Sequence, residues 1–233
     1  IPYNTGDGIK MALDVGAQSH GHYSSCHAVA WDMNAPAFGD RNITELYQKH
    51  SYPFGLIVNI NGERFLDEGE DFRNYTYVKF GRAYLTQPQG LGFHIFDEKV
   101  KHLLRDEYHI DQVTMAKADT LEELAERLDI DLPGFVKTIQ EYNAAVQTDV
   151  PHNPTVKDGR GTVGITPPKS NWAELIDTPP YTGYAVTCGI SFTFGGVKIN
   201  NRGQIVTNSQ EPIPGLYAAG EMVGGLFYHN YPG

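Results

Sequence analysis

The sequence predicts an α+β fold in which a helical block sits between two strand-bearing stretches. Three observations carry this reading. Two adjacent central segments, ADTLEELAERLDI and DLPGFVKTIQEYNAAV, have helical periodicity and their own start signals. Before them, FGLIVNI and GLGFHIF read as strands; after them, GYAVTCGISFTFGGVKINNRGQIV reads as a glycine-interrupted set of strands. In a chain of 233 residues this order suggests an outer framework supplied by both chain ends, with a second domain inserted between them. The expected segments are 1–30 and 181–233 for the framework and 31–180 for the insert.

From the start, TGDGIKMALDVGA is a helix signal: a Thr/Asp-rich turn followed by Ile9, Met11, Ala12 and Val15 at helical spacing. HGHYSSCHAVAWD then has strand composition. FGLIVNI alternates as a strand, and NGE turns the chain at its end. GLGFHIFDEK is a further strand, followed by the amphipathic EKVKHLLRDEY. In the first central helix Thr120 and Glu123 stand at capping-box spacing, and Leu121, Leu124, Ala125 and Leu128 share one face. In the second, Asp131 is the expected N-cap and Pro133 falls in the first turn, where its missing N–H is harmless. QTDVPHNPTVKDGRGT is loop by composition. Glycines gather near the C-terminus in FGGV, AAGE and VGGLF, which suggests backbone brought close to something flat or phosphorylated.

Composition narrows the function classes. The chain is 40% hydrophobic and 20% charged, the profile of a soluble globular protein. A net charge of −10 argues against nucleic acid or an anionic membrane surface as partner. There is no run of about 18 apolar residues, and IPYNTGDG has neither a basic n-region nor an apolar h-region, so neither a membrane span nor a signal peptide is expected. Two cysteines, Cys26 and Cys188, are too few for a disulfide framework and suit a reducing cytoplasm. His20, His22 and Cys26 lie close in sequence, but no second ligand pair completes a zinc pattern, so no metal is expected.

The segment GERFLDEGEDFRN, Gly62 to Asn74, crowds five carboxylates around two arginines and two phenylalanines, which suits neither a plain surface loop nor a core strand. Three separated signatures include it: NTGDGIKMALDVGA, NGERFLDE with the arginine after it, and GGVKINNRGQIV followed by PGLYAAGEMVGG. Together they resemble the FAD-dependent fumarate reductase and succinate dehydrogenase flavoprotein superfamily, in order and through essentially the whole chain. The two central helices resemble that superfamily's inserted capping domain. Within the superfamily the chain is most similar to the tricarballylate dehydrogenases, which likewise carry DFRNYTY, FTFGG and HNYPG.

The resemblance implies a capping (substrate) domain flanked by partial FAD-domain segments. It also implies a dehydrogenase that oxidises a saturated tricarboxylate, tricarballylate, to an alkene, cis-aconitate, with hydride passing to FAD. The superfamily's GxGxxG turn, which holds the FAD pyrophosphate at a helix N-terminus, has no counterpart in the sequence. The chain is therefore expected to be an excised piece that by itself holds no FAD tightly and turns over no substrate.

Particular residues follow from the resemblance. Arg73 resembles, in place, the active-site proton donor of fumarate reductases, one residue further from the RF..E motif than is usual. A guanidinium there also pairs with a substrate carboxylate through two hydrogen bonds. Its pKa above about 12 makes a base role dependent on neighbours, and Glu70 and Asp71 are near in sequence; a surface ion pair is the alternative. Arg64 reads as structural, neutralised by its acidic neighbours. His27 falls near the family's substrate-binding histidine and otherwise is an ordinary buried histidine.

Ser191 stands where fumarate reductases carry a histidine, and Tyr231 where they carry a carboxylate-binding arginine. Both changes remove cationic ligands and leave Ser191, Thr193, His229 and Tyr231 as hydrogen-bonding contacts for a differently shaped polycarboxylate. Ala219, Gly220, Glu221 and Gly225 resemble the flavin-contacting strand–turn, small residues letting backbone approach the cofactor and Glu221 accepting from a ribityl or ribose hydroxyl. The implied partners are a small polycarboxylate substrate and an electron acceptor outside the chain, for which a membrane-bound redox protein is one kind the family allows. Alternatives are a 3-ketosteroid dehydrogenase-like or fumarate reductase-like flavoenzyme, and a non-catalytic binding module derived from the capping domain.

Overall fold

The computed structural model describes residues 3–231. In chain order the elements are α1 (Asp7–Asp14), β1 (Ser19–His20), β2 (Cys26–Asp32), β3 (Leu56–Val58), α2 (Arg73–Ala83), β4 (Gly92–Phe96), β5 (Met115–Ala118), α3 (Leu121–Leu128), α4 (Leu132–Ala145), β6 (Tyr181–Thr193), β7 (Gly196–Val197), β8 (Gln204–Val206) and β9 (Pro212–Tyr217). Two compact units result: Ile1–Ala28 with Ile190–Gly233, and Val29–Gly189. The division passes inside β2 and inside β6, so β6 serves both units.

In the larger unit β6 is the spine of a five-stranded sheet of order β2-β6-β4-β3, with β5 also paired to β6. Its residues 182–186 pair antiparallel with β4, and 181–184 pair with β5 on the other edge. The glycine-interrupted reading of this stretch makes Gly189 a break, whereas the strand starts before Gly183 and runs through both glycines. Each glycine makes room: a Cβ on Gly183 would collide with Leu128 and one on Gly189 with Trp31. Buried Asp32 ties the end of β2 to the residue before β5, accepting from Thr114 N at 2.7 Å and Thr114 Oγ1 at 2.6 Å.

Both central helices form where expected. Thr120 accepts from Glu123 N at 3.1 Å and Asp131 from Gly134 N at 2.8 Å, each satisfying a first-turn amide. The faces of α3 and α4 bring Leu124, Ala125, Phe135, Ile139 and Tyr142 onto Leu56, Val58, Phe93 and Ile95 of the sheet. Burying a side chain of the Leu or Phe size contributes about 1.5–3 kcal/mol, so this contact is the main source of the unit's stability. The other side of β4 carries Phe96, which packs with Val100, Leu104, Tyr108 and Tyr184. β3 is buried at all three positions rather than alternating, because it is covered on both faces.

Two elements have no sequence signal. α2 is rich in poor helix formers, and its order comes from burying Thr76, Tyr77, Val78, Phe80 and Gly81. β5 is an unremarkable MAKA segment that becomes a strand by pairing with β6.

In the smaller unit α1 packs through Ala12 on Ala17, Val197 and Ile205. Met11 and Val15, which share its expected apolar spacing, are 66% and 60% exposed, so only part of that pattern faces a core. β1 pairs antiparallel with β7, and β8 with β9. No helix among the described residues is long and apolar enough to cross a membrane. Among those residues no group of three or more His, Cys, Asp or Glu is placed to hold a metal ion.

Candidate active site

The two arginines of the GERFLDEGEDFRN segment have opposite surroundings. Asn59, after β3, opens a turn in which Gly62 adopts φ 74 and Asn59 N donates to Glu63 O at 2.9 Å. This turn aims Arg64 inward. Its Nε and Nη2 bind the two oxygens of Glu68 at 3.0 and 2.5 Å, and Nη1 donates to Pro167 O at 2.8 Å. Both side chains are buried, at 4% and 0% exposure. Burial opposes the Arg64 charge, and the Glu68 carboxylate more than offsets it, so its pKa is raised and the guanidinium stays charged. Arg64 is structural, as its neighbours suggested: it clips the loop after β3 to the chain at 167–168.

Arg73 is the first residue of α2, half-buried. The acids expected to assist it point elsewhere. Glu70 forms an ion pair with Lys79, and Asp71 pairs with Lys157 at 3.1 Å while accepting from Phe72 N at 2.8 Å. Among the described residues no carboxylate lies within ion-pair distance of the Arg73 guanidinium. Arg73 instead lines a pocket of about 290 Å³ with His50, Asn74 and Arg105, none of which except Arg73 carried a sequence signal. His50 and Arg105 share Glu107: His50 Nδ1 is 3.5 Å from Glu107 Oε1 and Arg105 Nε is 3.2 Å from Oε2. Burial pushes the His50 pKa down against the pull of Glu107, and the Arg73 and Arg105 charges push it further the same way. For Glu107, burial acts upward, but the hydrogen bond and charge of His50 and the Arg105 charge prevail and lower its pKa.

The remaining sequence-derived candidates belong to the smaller unit. His27 is buried; its ring stacks on Phe192 at 4.7 Å and meets the edge of Tyr231 at 4.8 Å. The fold thus brings His27 and Tyr231 together in a ring cluster that also includes Phe227, 4.7 Å from Tyr231. His229 joins a different pair, with His22 at 4.6 Å. Its Nδ1 lies 3.5 Å from Ser25 Oγ. Ser191 and Thr193 flank Phe192 on β6, so strand alternation turns their side chains to the face away from the one Phe192 presents to His27. Pro232 and Gly233 of HNYPG lie outside the described residues.

Thr193 and Glu221, read from the sequence as substrate and cofactor contacts, bind each other. Thr193 N donates to Glu221 Oε1 at 2.9 Å, and Asn4 Nδ2 donates to both carboxylate oxygens at 2.9 and 3.1 Å. The glycines nearby divide by role. Side chains at Gly224 and Gly225 would collide with His20, so the closely approached surface there is the protein's own β1. Gly220 differs: its φ is 68 and nothing lies within 4 Å of where its Cβ would stand. With exposed Ala219 it presents bare backbone, a surface that a flat ring system can approach, so this segment suits a flavin.

Comparison with known proteins gives the family. The family model described as "FAD binding domain" (FAD_binding_2) matches residues 1–233. NADH:fumarate oxidoreductase of Klebsiella pneumoniae is 35% identical over 173 residues, 73% of this chain and 17% of that protein. 3-Oxosteroid 1-dehydrogenase of Mycolicibacterium smegmatis is 28% identical over 99% of this chain and 42% of that protein. The crystal structure of 3-ketosteroid Δ1-dehydrogenase from Sterolibacterium denitrificans superposes with a TM-score of 0.71 at 25% identity, covering 100% of this chain and 44% of that one. The chain spans less than half the length of each. With its whole length matched, the chain belongs to the FAD binding domain family of flavoprotein oxidoreductases.

Proposed function

We propose that the chain supplies the substrate-facing capping part, 29–189, and part of the FAD-facing framework of a flavin-dependent oxidoreductase acting on a C–C bond beside a carboxylate. The observation that supports this most is Arg73: a guanidinium at a helix start, lining a pocket and lacking a carboxylate partner among the described residues. Bound FAD supplies the hydride acceptor or donor. Arg73 binds the substrate carboxylate through its forked donors and holds the proton exchanged at the carbon next to the hydride site. Ala219 and Gly220 offer the backbone surface for the flavin, and Glu221, already bound to Thr193 and Asn4, fixes that turn.

The motifs shared with tricarballylate dehydrogenases support tricarballylate, converted to cis-aconitate, as the substrate. His229 and Tyr231 are the hydrogen-bonding groups the smaller unit carries in place of the missing cationic ligands. A cytoplasmic setting and an external acceptor, of the membrane-bound redox kind, complete this reading. A second reading, a neutral ketosteroid-like substrate, is favoured by the rings around Tyr231, namely His27, Phe192 and Phe227.

Succinate, tricarballylate, citrate and a ketosteroid, offered with a dye acceptor to the FAD-loaded full-length enzyme that contains this chain, separate the two. Reduction of the dye by tricarballylate and not by the steroid is the expected result. Arg73→Lys should keep substrate binding within a modest factor and cut turnover severely, because lysine retains the charge but not the fork. Turnover near wild type in that variant removes Arg73 from the chemistry.

A further inference from the structure

The pocket beside the start of α2 has a lining that the function above uses only for its arginine. At about 290 Å³ it falls just under the ~300–1,000 Å³ of pockets that take drug-sized ligands, so it suits a small molecule. Part of the lining is cationic, Arg73 and Arg105. Much of the rest is flat and apolar, including Phe54, Phe72 and Trp172. The three rings fix one another, with centroids of Phe72 and Phe54 at 5.4 and 6.2 Å from that of Trp172. Trp172 is 1% exposed, and its indole N–H is engaged by the carbonyls of Asn153 and Val156 at 3.1 and 2.7 Å. It therefore backs the wall behind Phe54 and Phe72 and senses a ligand there through those rings.

The charges nearly cancel. Glu107 is the carboxylate held against these groups, and it is shared by Arg105 and the Nδ1 side of His50. His50, its pKa pushed down by burial, stays neutral near pH 7. Arg73 is left as the unmatched positive charge. α2 also starts without a side-chain cap, so its first-turn amides add partial positive charge at the same place.

We propose that this pocket binds a small monocarboxylate with a flat ring body, an aromatic or alicyclic acid, its carboxylate on Arg73 and its ring against Phe54 and Phe72, with Trp172 behind them. One carboxylate matches the one unmatched charge, and the apolar body of the acid lies on ring surface that needs no polar partner. This inference rests on the same arginine as the proposed function, so such an acid competes with the substrate for Arg73.

The probe is benzoate, titrated into the full chain with Trp31→Phe, which leaves Trp172 as the sole indole of the two in the sequence. Acetate carries the charge without the ring, and benzyl alcohol the ring without the charge. Benzoate should shift Trp172 emission saturably and bind at least tenfold tighter than either control. Arg73→Gln should weaken benzoate at least tenfold, the worth of a charged hydrogen bond, and leave benzyl alcohol unchanged. Phe72→Ala, at a position 37% exposed, should weaken benzoate but not acetate, and tests the site should Arg73→Gln fail to fold. Benzoate binding no tighter than both controls, or indifferent to these substitutions, overturns the proposal. Tricarballylate oxidation by the full-length enzyme while Trp172 of this chain ignores benzoate refutes this inference alone; benzoate binding here with no acid oxidised by the full-length enzyme refutes the proposed function alone.

Discussion

Acidification should destabilise the larger unit through a single buried histidine. His94, in the middle of β4, is fully buried; its Nε2 lies 2.7 Å from Tyr84 Oη and its Nδ1 3.0 Å from Tyr108 Oη. Neither partner is an anion. Burial, with smaller contributions from Lys49 and His50, pushes its pKa down to about 3 from the ordinary 6.5. A depressed folded-state pKa means that the unfolded chain binds the proton first. The stability this neutral histidine contributes is therefore complete above pH 6.5 and is lost as pH falls toward 3. At ~1.36 kcal/mol per pKa unit, the 1.5 units between pH 6.5 and 5 amount to about 2 kcal/mol. The assay is urea unfolding at pH 7 and pH 5, followed by far-UV circular dichroism, on the wild-type chain and on His94→Gln. The variant should be less stable at pH 7, since a glutamine cannot serve both hydroxyls equally well. Its loss between pH 7 and 5, however, should be smaller than the wild type's by about 2 kcal/mol. Other acid-linked groups, such as His50 and Glu107, are common to both proteins and cancel in the comparison. Equal losses in the two proteins would refute the assignment of this pH dependence to His94.

Two further substitutions test the scaffold around the candidate site. Arg64→Ala leaves Glu68 as a buried unpaired carboxylate and should cost about 3–5 kcal/mol in urea unfolding. The double substitution Arg64→Ala, Glu68→Ala should cost clearly less than the two singles summed, because the pair is lost only once. Thr120→Ala removes the hydroxyl that caps α3 and should cost about 1 kcal/mol by the same measurement, with no effect on ligand binding at Arg73.

Much of the local structure was legible because its causes are local. Thr120, Asp131 and Pro133 fix helix starts through hydrogen bonds within three residues, and the NGE turn follows from a glycine that accepts positive φ. The structural role of Arg64 was also legible, since its partner Glu68 is only four residues away. FGLIVNI and GLGFHIF are legible as strands, although the alternation read in FGLIVNI is replaced in β3 by burial at every position.

What the sequence could not decide is everything that depends on partners far along the chain. α2 exists because its residues are buried, not because they favour a helix, and that burial is what places Arg73 at a helix start. Glu70 and Asp71 lie beside Arg73 in sequence, yet the turn into α2 sends them to Lys79 and Lys157. His50 and Arg105 stand 23 residues before and 32 after Arg73, and only the folded sheet gathers them with Trp172 around one pocket. Sequence determined the family and the capped helices, since motifs and caps are read from near neighbours. Tertiary structure decided which charges are neutralised and which is left unmatched, because Coulomb attraction and burial act through space and not along the chain.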